Sequence, residues 1–217
     1  MMDRLLPAGV AVVEAGRQEW ESEPLPEEAR QVARAVSRRQ REYAAGRACA
    51  RLALGRLGLP VGPLLSGPDR APVWPEGAVG SITHCPGYCA AAVARRGTVR
   101  ALGIDAELNA PLPLGVAELV CTGRELAWTT ASAQPDGHWQ ALIFSAKESV
   151  YKAWQPLTGE WLGYLDVELS IDPARGTFEA RLLVHAHRAL EKGWSGFRGR
   201  FAMTPTHVLT AVALLGN

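Results

Sequence analysis

Three ionisable side chains lie within six residues of one another in the second half of the chain: Lys147, Glu148 and Lys152. The sequence has 23 lysines and arginines, and Lys192 is its one other lysine, so this pair of lysines indicates a local need for ammonium groups. On a helix, Glu148 and Lys152 share a face and Lys147 lies on the adjacent stripe. The segment predicts a helix that offers one carboxylate and two ammonium groups toward one place. The alternative is a surface helix with an ordinary ion pair.

Two acidic residues occur in an apolar segment that precedes this helix. Residues 99–107 alternate as in a strand, with apolar side chains on one face and Gly103, Asp105 and Glu107 on the other. Paired carboxylates on one strand face are typical ligands of a hard cation such as Mg²⁺. A polar strand end on a solvated sheet face is the alternative. It explains less, because two neighbouring acids repel each other unless a cation or a base neutralises them.

These two segments carry a resemblance to a known family. Residues 103–107, Gly-Ile-Asp-Ala-Glu, and residues 144–154, Phe-Ser-Ala-Lys-Glu-Ser-Val-Tyr-Lys-Ala-Trp, resemble the two signature motifs of the 4′-phosphopantetheinyl transferases. They are closest to the Sfp-type enzymes, which activate siderophore, polyketide and peptide synthases. The resemblance extends to residues 39–47, 74–75 and 80–85, and so covers most of the chain from about residue 38 to the 160s.

The resemblance implies a fold and a reaction. We expect an α+β fold of two similar halves related by a pseudo-two-fold axis, each with a small, mainly antiparallel sheet packed on helices. Residues 1–100 would form the half that contacts coenzyme A phosphates, and residues 101–217 the half with the metal and catalytic motifs. The reaction implied is transfer of 4′-phosphopantetheine from coenzyme A to a serine of apo acyl or peptidyl carrier proteins, which releases adenosine 3′,5′-bisphosphate.

The resemblance also implies roles for the motif residues. Asp105, Glu107 and Glu148 would hold Mg²⁺, or Mn²⁺ in its place, and coenzyme A would be the co-substrate. Glu148, Lys147 and Lys152 would be catalytic, with the lysines stabilising the departing phosphate. The sequence leaves open whether Glu148 removes the serine proton or is only a metal ligand.

The coenzyme A contacts implied by the resemblance come from both halves of the chain. For Arg39 and Arg47 a solvated arginine face is the alternative, and for His84 it is an ordinary structural hydrogen bond. Arg70 lies one position from where some relatives carry a charge, so its contact with the 3′-phosphate is the least constrained. The full set is Arg39, Arg47, Arg70, Ser81, Thr83, His84, Lys147 and Lys152.

Composition limits the other functions. The chain has 217 residues, 47% of them hydrophobic, and a net charge of +1, so it has no general attraction for nucleic acid or an anionic membrane. It lacks an uncharged apolar run of about 18 residues, and its N-terminus lacks a signal-peptide core. We therefore expect a cytoplasmic monomer with neither nucleic acid nor membrane as a partner.

The four cysteines could be buried thiols, disulfides or metal ligands. Cys85 and Cys89 lie next to His84, but a closed zinc site needs a second close pair that the chain does not supply. We expect reduced and mostly buried thiols.

Local signals predict the remaining elements. Ser37 and Gln40, and later Thr122 and Glu125, have the spacing of a capping box at a helix start. Residues 133–137 read as a loop before the helix that contains Lys147. Strands are predicted at residues 10–13, 79–84, 88–94, 165–171, 178–184, 197–203 and 208–215.

Two other functions remain open at this stage. One is a catalytically silent module that binds coenzyme A or a carrier protein. The other is a different Mg²⁺-dependent enzyme that cleaves nucleotide phosphoesters. Which carrier proteins would be served, those of fatty-acid, polyketide or peptide synthases, cannot be read from the sequence.

Overall fold

Two antiparallel sheets and two 20-residue helices form the framework of the molecule. A computed structural model describes residues 1–132, 138–183 and 196–216. The α-helices are α1 (Arg17–Trp20), α2 (Pro26–Val32), α3 (Ser37–Arg56), α4 (Val116–Val120), α5 (Gly123–Ala131) and α6 (Trp139–Thr158), with short 3-10 helices at Met2–Leu5 and Tyr164–Asp166. The strands are β1 (Val10–Glu14), β2 (Ala78–Cys85), β3 (Tyr88–Arg95), β4 (Val99–Leu108), β5 (Val167–Asp172), β6 (Thr177–Leu182), β7 (Gly196–Met203) and β8 (His207–Leu215).

The N-terminal sheet has the strand order β1-β3-β2, with antiparallel pairing throughout. Strands β2 and β3 form a hairpin whose turn contains Gly87 at φ 79°, a left-handed conformation that glycine adopts without a steric penalty. Helix α3 covers this sheet, and its Ala50 and Leu54 pack with Val93 and Val13 in one apolar cluster. This packing fixes the direction in which α3 presents its arginines.

The C-terminal sheet has the order β4-β8-β7-β6-β5 and is also antiparallel. Helix α6 packs across β4 and β8. Its Val150 and Trp154 are fully buried against Phe178 and Val212. The α+β fold of two antiparallel sheets packed on helices is thus confirmed, although the two sheets differ in size. The division into domains at residue 100 stays a prediction.

Gly103 allows β4 and α6 to approach each other closely. A β-carbon at this position would lie 1.9 Å from the main-chain oxygen of Ser149, so no larger residue fits without displacing the helix. Asp105 and Glu107 follow Gly103 at two-residue intervals on the same face of the strand. The approach therefore brings the acids of β4 near the polar side chains of α6.

The two sheets meet along β2 and β4, where side-chain hydroxyls replace part of the backbone pairing. Ser81 Oγ accepts the N–H of Ile104 at 3.0 Å, and Thr83 Oγ1 accepts the N–H of Ala106 at 3.0 Å. Both hydroxyl side chains are buried. The seam between the sheets is therefore held by hydrogen bonds from β2 to β4 as well as by apolar packing.

Local signals succeeded at one helix start and failed at another. Thr122 caps α5 by accepting the N–H of Glu125, whose carboxylate accepts the N–H of Thr122, so this capping box is confirmed. The box expected at Ser37 is wrong. The helix is preceded by Val36 without a side-chain cap, and Gln40 donates instead to carbonyls of the preceding turn. The predicted loop at 133–137 and the last residue of the strand 178–184 lie outside the described residues.

Other expectations concern the cysteines and the membrane. Cys49, Cys85, Cys89 and Cys121 are all free and buried, as expected for thiols that belong to the core. Across residues 1–132, 138–183 and 196–216, none of the helices combines the length and the apolar character needed to cross a bilayer.

Candidate active site at the seam between the two sheets

Asp105 and Glu107 differ in their surroundings although they share one face of β4. Asp105 is 4% exposed, and its Oδ2 is buried without a hydrogen-bond partner among the described residues. Burial, the neighbouring Asp105 and Glu148 raise the pKa of Glu107 to about 7, against an opposing effect of Lys152. A buried oxygen without a partner and a carboxyl that resists ionisation indicate a site that lacks positive charge.

Lys152 supplies one positive charge to this site from α6. Its Nζ donates to Asp105 Oδ1 at 2.6 Å and to the main-chain oxygen of Ile104 at 3.1 Å. The same Oδ1 accepts a longer hydrogen bond from Thr83 at 3.3 Å. The side chain of Lys152 is 28% exposed, so its ammonium group is also within reach of solvent. The expected proximity of Lys152 to the acids of β4 is present in the structure.

Glu148 is held by a residue that lies outside both signature motifs. The hydroxyl of Tyr164, in the short 3-10 helix after α6, donates to Glu148 Oε1. Burial, this hydrogen bond and the charges of Asp105 and Glu107 raise the pKa of Tyr164. The phenol therefore lies among all three carboxylates. Tyr164 is 16 positions beyond Glu148 and outside both motifs, so no sequence signal pointed to it.

Lys147 does not join Glu148 and Lys152, which corrects the expectation that two ammonium groups face one place. Its Nζ donates to Glu125 Oε2 at 2.7 Å, to the Val120 oxygen at 2.8 Å and to the Tyr164 oxygen at 2.9 Å. These three acceptors use all the donors of an ammonium group. Lys147 and Glu125 side chains are each 2% exposed. In this arrangement Lys147 has no N–H left for a phosphate.

Arg39 and His84 come together on the N-terminal side of the site. Arg39 Nη1 contacts His84 Nε2, and His84 Nδ1 lies 3.5 Å from Glu42 Oε2. Burial and the charge of Arg39 lower the pKa of His84, and Lys152 lowers it further, while Glu42 and Asp105 oppose the shift. The imidazole lies between the arginine of α3 and the Asp105–Lys152 pair, and burial with these two cations disfavours its protonated form. The two residues are placed to act on one anion.

Arg47 is engaged differently from Arg39. Its guanidinium lies over the ring of Tyr43 at 4.0 Å and donates to the Leu64 oxygen at 3.0 Å and to Ser66 Oγ at 2.9 Å. The residue is 6% exposed. In the described structure it anchors the loop at residues 64–66 to α3. The guanidinium that was expected to contact a phosphate therefore already donates hydrogen bonds within the protein.

Arg70 lies at an exposed turn of the loop between α3 and β2. It has φ 66°, which is unusual for a residue other than glycine, and its N–H donates to the Gly67 oxygen at 2.9 Å. The neighbouring Asp69 is close enough to raise the pKa of Tyr151, although burial of Tyr151 is the larger cause. The turn therefore lies opposite α6, and the contact of Arg70 with coenzyme A stays a prediction.

Ser81 and Thr83 were expected to contact coenzyme A, and the structure gives them another role. Both hydroxyls accept main-chain N–H groups of β4, and Thr83 also donates to Asp105. With 4% and 2% exposure, neither side chain is open to a ligand. They position β4 and Asp105, and their contact with coenzyme A stays a prediction.

The acids fit a hard cation by their chemistry, although they are not yet arranged around one. Over the described ranges, no three His, Cys, Asp or Glu side chains are arranged to hold a metal ion as they stand. The unpartnered Asp105 Oδ2 and the raised pKa of Glu107 fit residues that bind a cation. An all-oxygen donor set of this kind suits Mg²⁺ or Mn²⁺.

The α+β framework and an acid–lysine centre at its seam define a class of protein that could bind and activate a phosphate ester. Residues 27–94 match the family model for the 4′-phosphopantetheinyl transferase N-terminal domain, and residues 101–206 match the model for the 4′-phosphopantetheinyl transferase superfamily.

Similar proteins extend over nearly the whole chain. A 4′-phosphopantetheinyl transferase named Svp, from Streptomyces mobaraensis, is 54% identical over 87% of this chain and 78% of the relative. PptT from Mycobacterium tuberculosis is 42% identical over 88% and 86%, and Npt from Nocardia iowensis is 41% identical over 98% and 99%. The chain therefore belongs to the 4′-phosphopantetheinyl transferase superfamily.

Proposed function

We propose that this protein transfers the 4′-phosphopantetheine group of coenzyme A to a serine hydroxyl of apo acyl or peptidyl carrier proteins. The observation that carries the proposal is the meeting of Asp105, Glu148 and Lys152 at the seam of a chain that matches transferase models in both halves. Relatives at 41–54% identity are named for the same activity.

The reaction makes particular demands on the site. The serine oxygen forms a bond to the β-phosphorus of coenzyme A, and the bond from that phosphorus to the bridging oxygen breaks, which releases adenosine 3′,5′-bisphosphate. The serine proton must be accepted, and negative charge on the departing phosphate must be stabilised. Catalysis of this kind depends mainly on positioning and on electrostatic stabilisation.

Cationic and neutral donors are placed along the seam for the phosphates. Arg39 and His84 would bind the pyrophosphate from the side of α3 and β2. Lys152, which is partly exposed beside Asp105, would stabilise charge on the leaving phosphate. Arg47 would act by holding the loop at 64–66, and Lys147 by holding the site together from the core.

Glu148 is the group best placed to take the serine proton, directly or through water. Its Oε1 is fixed by Tyr164, and a carboxylate has a second oxygen that can accept a proton. When bound, Mg²⁺ or Mn²⁺ would be held by Asp105, Glu107 and Glu148, would neutralise these acids and would polarise the phosphate.

The direct test is mass spectrometry of an apo carrier protein mixed with this protein, coenzyme A and Mg²⁺. A panel of carrier proteins from fatty-acid, polyketide and peptide synthases should include at least one that gains the mass of one phosphopantetheinyl group. No gain on any of them would contradict the proposal. Hydrolysis of coenzyme A in the absence of carrier protein would favour a different phosphoester-cleaving enzyme, and binding without reaction would favour a silent module.

A variant of Asp105 tests the arrangement of the site. We expect Asp105→Ala to lower turnover by about a hundredfold or more, because it removes a proposed metal ligand and the partner of Lys152. Coenzyme A binding, measured by calorimetry, should persist through Arg39 and His84. Wild-type turnover in Asp105→Ala would refute this arrangement. Weaker coenzyme A binding with an unchanged kcat would refute it as well.

We also propose that the protein acts as a monomer in the cytoplasm. Four buried free thiols fit a reducing compartment. Light scattering coupled to size exclusion should give a mass near 23.3 kDa, and a dimer mass would reject the monomer.

A further inference from the structure

Tyr164 contacts the acidic centre although it lies outside both signature motifs. It lies in the 3-10 helix Tyr164–Asp166, just before β5, and its hydroxyl donates to Glu148 Oε1. Asp105 and Glu107 are also among its electrostatic neighbours. The phenol thus reaches the site from the segment between α6 and β5.

The ring and the main chain of Tyr164 are fixed from the core. Its ring packs against Phe144 of α6, with centroids 5.7 Å apart and planes inclined at 41°. Its main-chain oxygen accepts a hydrogen bond from Lys147 Nζ at 2.9 Å, and Lys147 is itself paired with the buried Glu125. Residues of α5 and α6 therefore determine where the hydroxyl of Tyr164 can lie.

A fixed hydroxyl has a consequence for Glu148. Glutamate is long and loses considerable rotamer freedom when it is ordered, so an unsupported carboxylate would spend much of its time away from Asp105 and Glu107. The hydrogen bond from Tyr164 occupies Oε1 only and leaves Oε2 to accept a proton or a cation. Groups that orient a metal-binding or catalytic carboxylate in this way affect its function without touching the substrate.

We propose that Tyr164 is the positioning residue for Glu148, and that Lys147 supports the site by holding Tyr164 rather than by binding the substrate. The inference rests on the proposed transferase function only where it is tested by kcat and KM for transfer. Its binding readout, however, needs only the protein and a metal ion.

The test begins with Tyr164→Phe, which removes the hydroxyl and keeps the ring that packs on Phe144. We expect kcat for transfer to fall by about 10- to 100-fold while KM for coenzyme A changes less than about threefold. Mn²⁺ binding to the protein alone, followed by electron paramagnetic resonance, should weaken by about 10-fold. The far-ultraviolet circular dichroism spectrum should stay that of the wild type.

A double-mutant cycle separates positioning from a structural effect. In a Glu148→Gln background, Tyr164→Phe should change Mn²⁺ affinity by less than about twofold, because its effect acts through Glu148. Tyr88→Phe is the matched control. It removes another buried phenol hydroxyl, one whose electrostatic neighbours are Glu14, Cys85 and Cys89, and it should leave kcat and Mn²⁺ affinity within about twofold of wild type.

The outcomes distinguish this inference from the proposed function. If wild-type protein modifies no carrier, the function fails, while the Mn²⁺ cycle still tests the coupling of Tyr164 to Glu148. If transfer occurs and Tyr164→Phe matches wild type in kcat and Mn²⁺ affinity, the inference alone is overturned. Tighter Mn²⁺ binding in Tyr164→Phe, or an equal effect with and without Glu148, would also overturn it.

Discussion

At the scale of single residues, charge balance decides how the acidic centre behaves. Asp105 has Lys152 at 2.6 Å, whereas Glu107 has no equally close cation in the described structure and lies between two other acids. One ammonium group therefore serves three carboxylates. The pKa of about 7 for Glu107 is the direct result, because burial and like charge both oppose its ionisation.

The raised pKa of Glu107 predicts a pH dependence of stability in metal-free buffer. The folded pKa is about 7 and the unfolded value is 4.5, so between these pH values the folded state binds more protons than the unfolded state. Its contribution is fully present below about pH 4.5, and the free energy of unfolding falls as pH rises toward 7, by clearly less than about 3 kcal/mol because solvent screens this half-buried group. Urea unfolding at several pH values measures this slope.

Two changes should flatten that slope for Glu107. Glu107→Gln removes the titrating group, so the part of the slope that belongs to it should disappear. A saturating concentration of Mg²⁺ favours the ionised form and should reverse the decline. Asp105, Glu148 and Lys152 face the same group, and an unchanged slope in Glu107→Gln would assign the effect to them instead.

At the scale of secondary structure, helix α6 directs its two lysines to different places, although the sequence predicted one shared site for them. Glu148 and Lys152, four residues apart, share the face toward the acidic centre, as the helical period predicts. Lys147 points to the start of α5 and to Glu125 instead. The helical period predicts the angle between these residues around the helix axis. It does not predict which element packs on each face, because those contacts are distant in sequence. The partner of Lys147 depends on such a contact.

The ion pair between Lys147 and Glu125 predicts a large effect on stability. Lys147→Met leaves the carboxylate of Glu125 buried without its charge partner, so we expect the free energy of unfolding to fall by about 3–5 kcal/mol. The double variant Lys147→Met with Glu125→Gln should recover at least half of this loss. Urea unfolding measures both. If Lys147→Met keeps wild-type stability but loses turnover, Lys147 contacts the substrate rather than stabilising the fold.

The approach of α6 to β4 predicts an effect at Gly103. In Gly103→Ala the new methyl group meets the Ser149 oxygen and the Ala153 nitrogen, which are main-chain atoms that move only if the helix moves. We expect a loss of about 1–3 kcal/mol or more in the free energy of unfolding, with slower transfer, because Lys152 moves with α6. Gly97→Ala is the control, since its β-carbon would enter open space and should change stability by less than about 0.5 kcal/mol.

At the scale of the whole molecule, the sequence predicted most strands, the two long helices and the meeting of Asp105 with Lys152. It did not reveal the hydrogen bonds that two residues of β2 make to β4. Ser81 and Thr83 alternate with apolar residues as ligand-facing side chains would, and nothing in β2 itself reveals that the N–H groups of β4 require acceptors. A strand that pairs with its neighbour through side-chain hydroxyls has no recognisable local sequence pattern. The prediction at residues 80–85 therefore rested on the family resemblance, which implied a coenzyme A contact.

A variant of Ser81 distinguishes a seam residue from a ligand-binding residue. Ser81→Ala leaves the N–H of Ile104 buried without its acceptor, so we expect the free energy of unfolding to fall by about 1–3 kcal/mol and the melting temperature by about 2–10 °C. Coenzyme A affinity measured by calorimetry well below that temperature should change less than about threefold. Thr130→Val, at an exposed hydroxyl that bonds within α5, is the control and should alter neither quantity appreciably. The opposite pattern, normal stability with weakened coenzyme A binding, would mean that Ser81 contacts the ligand and that apolar packing alone holds the halves together.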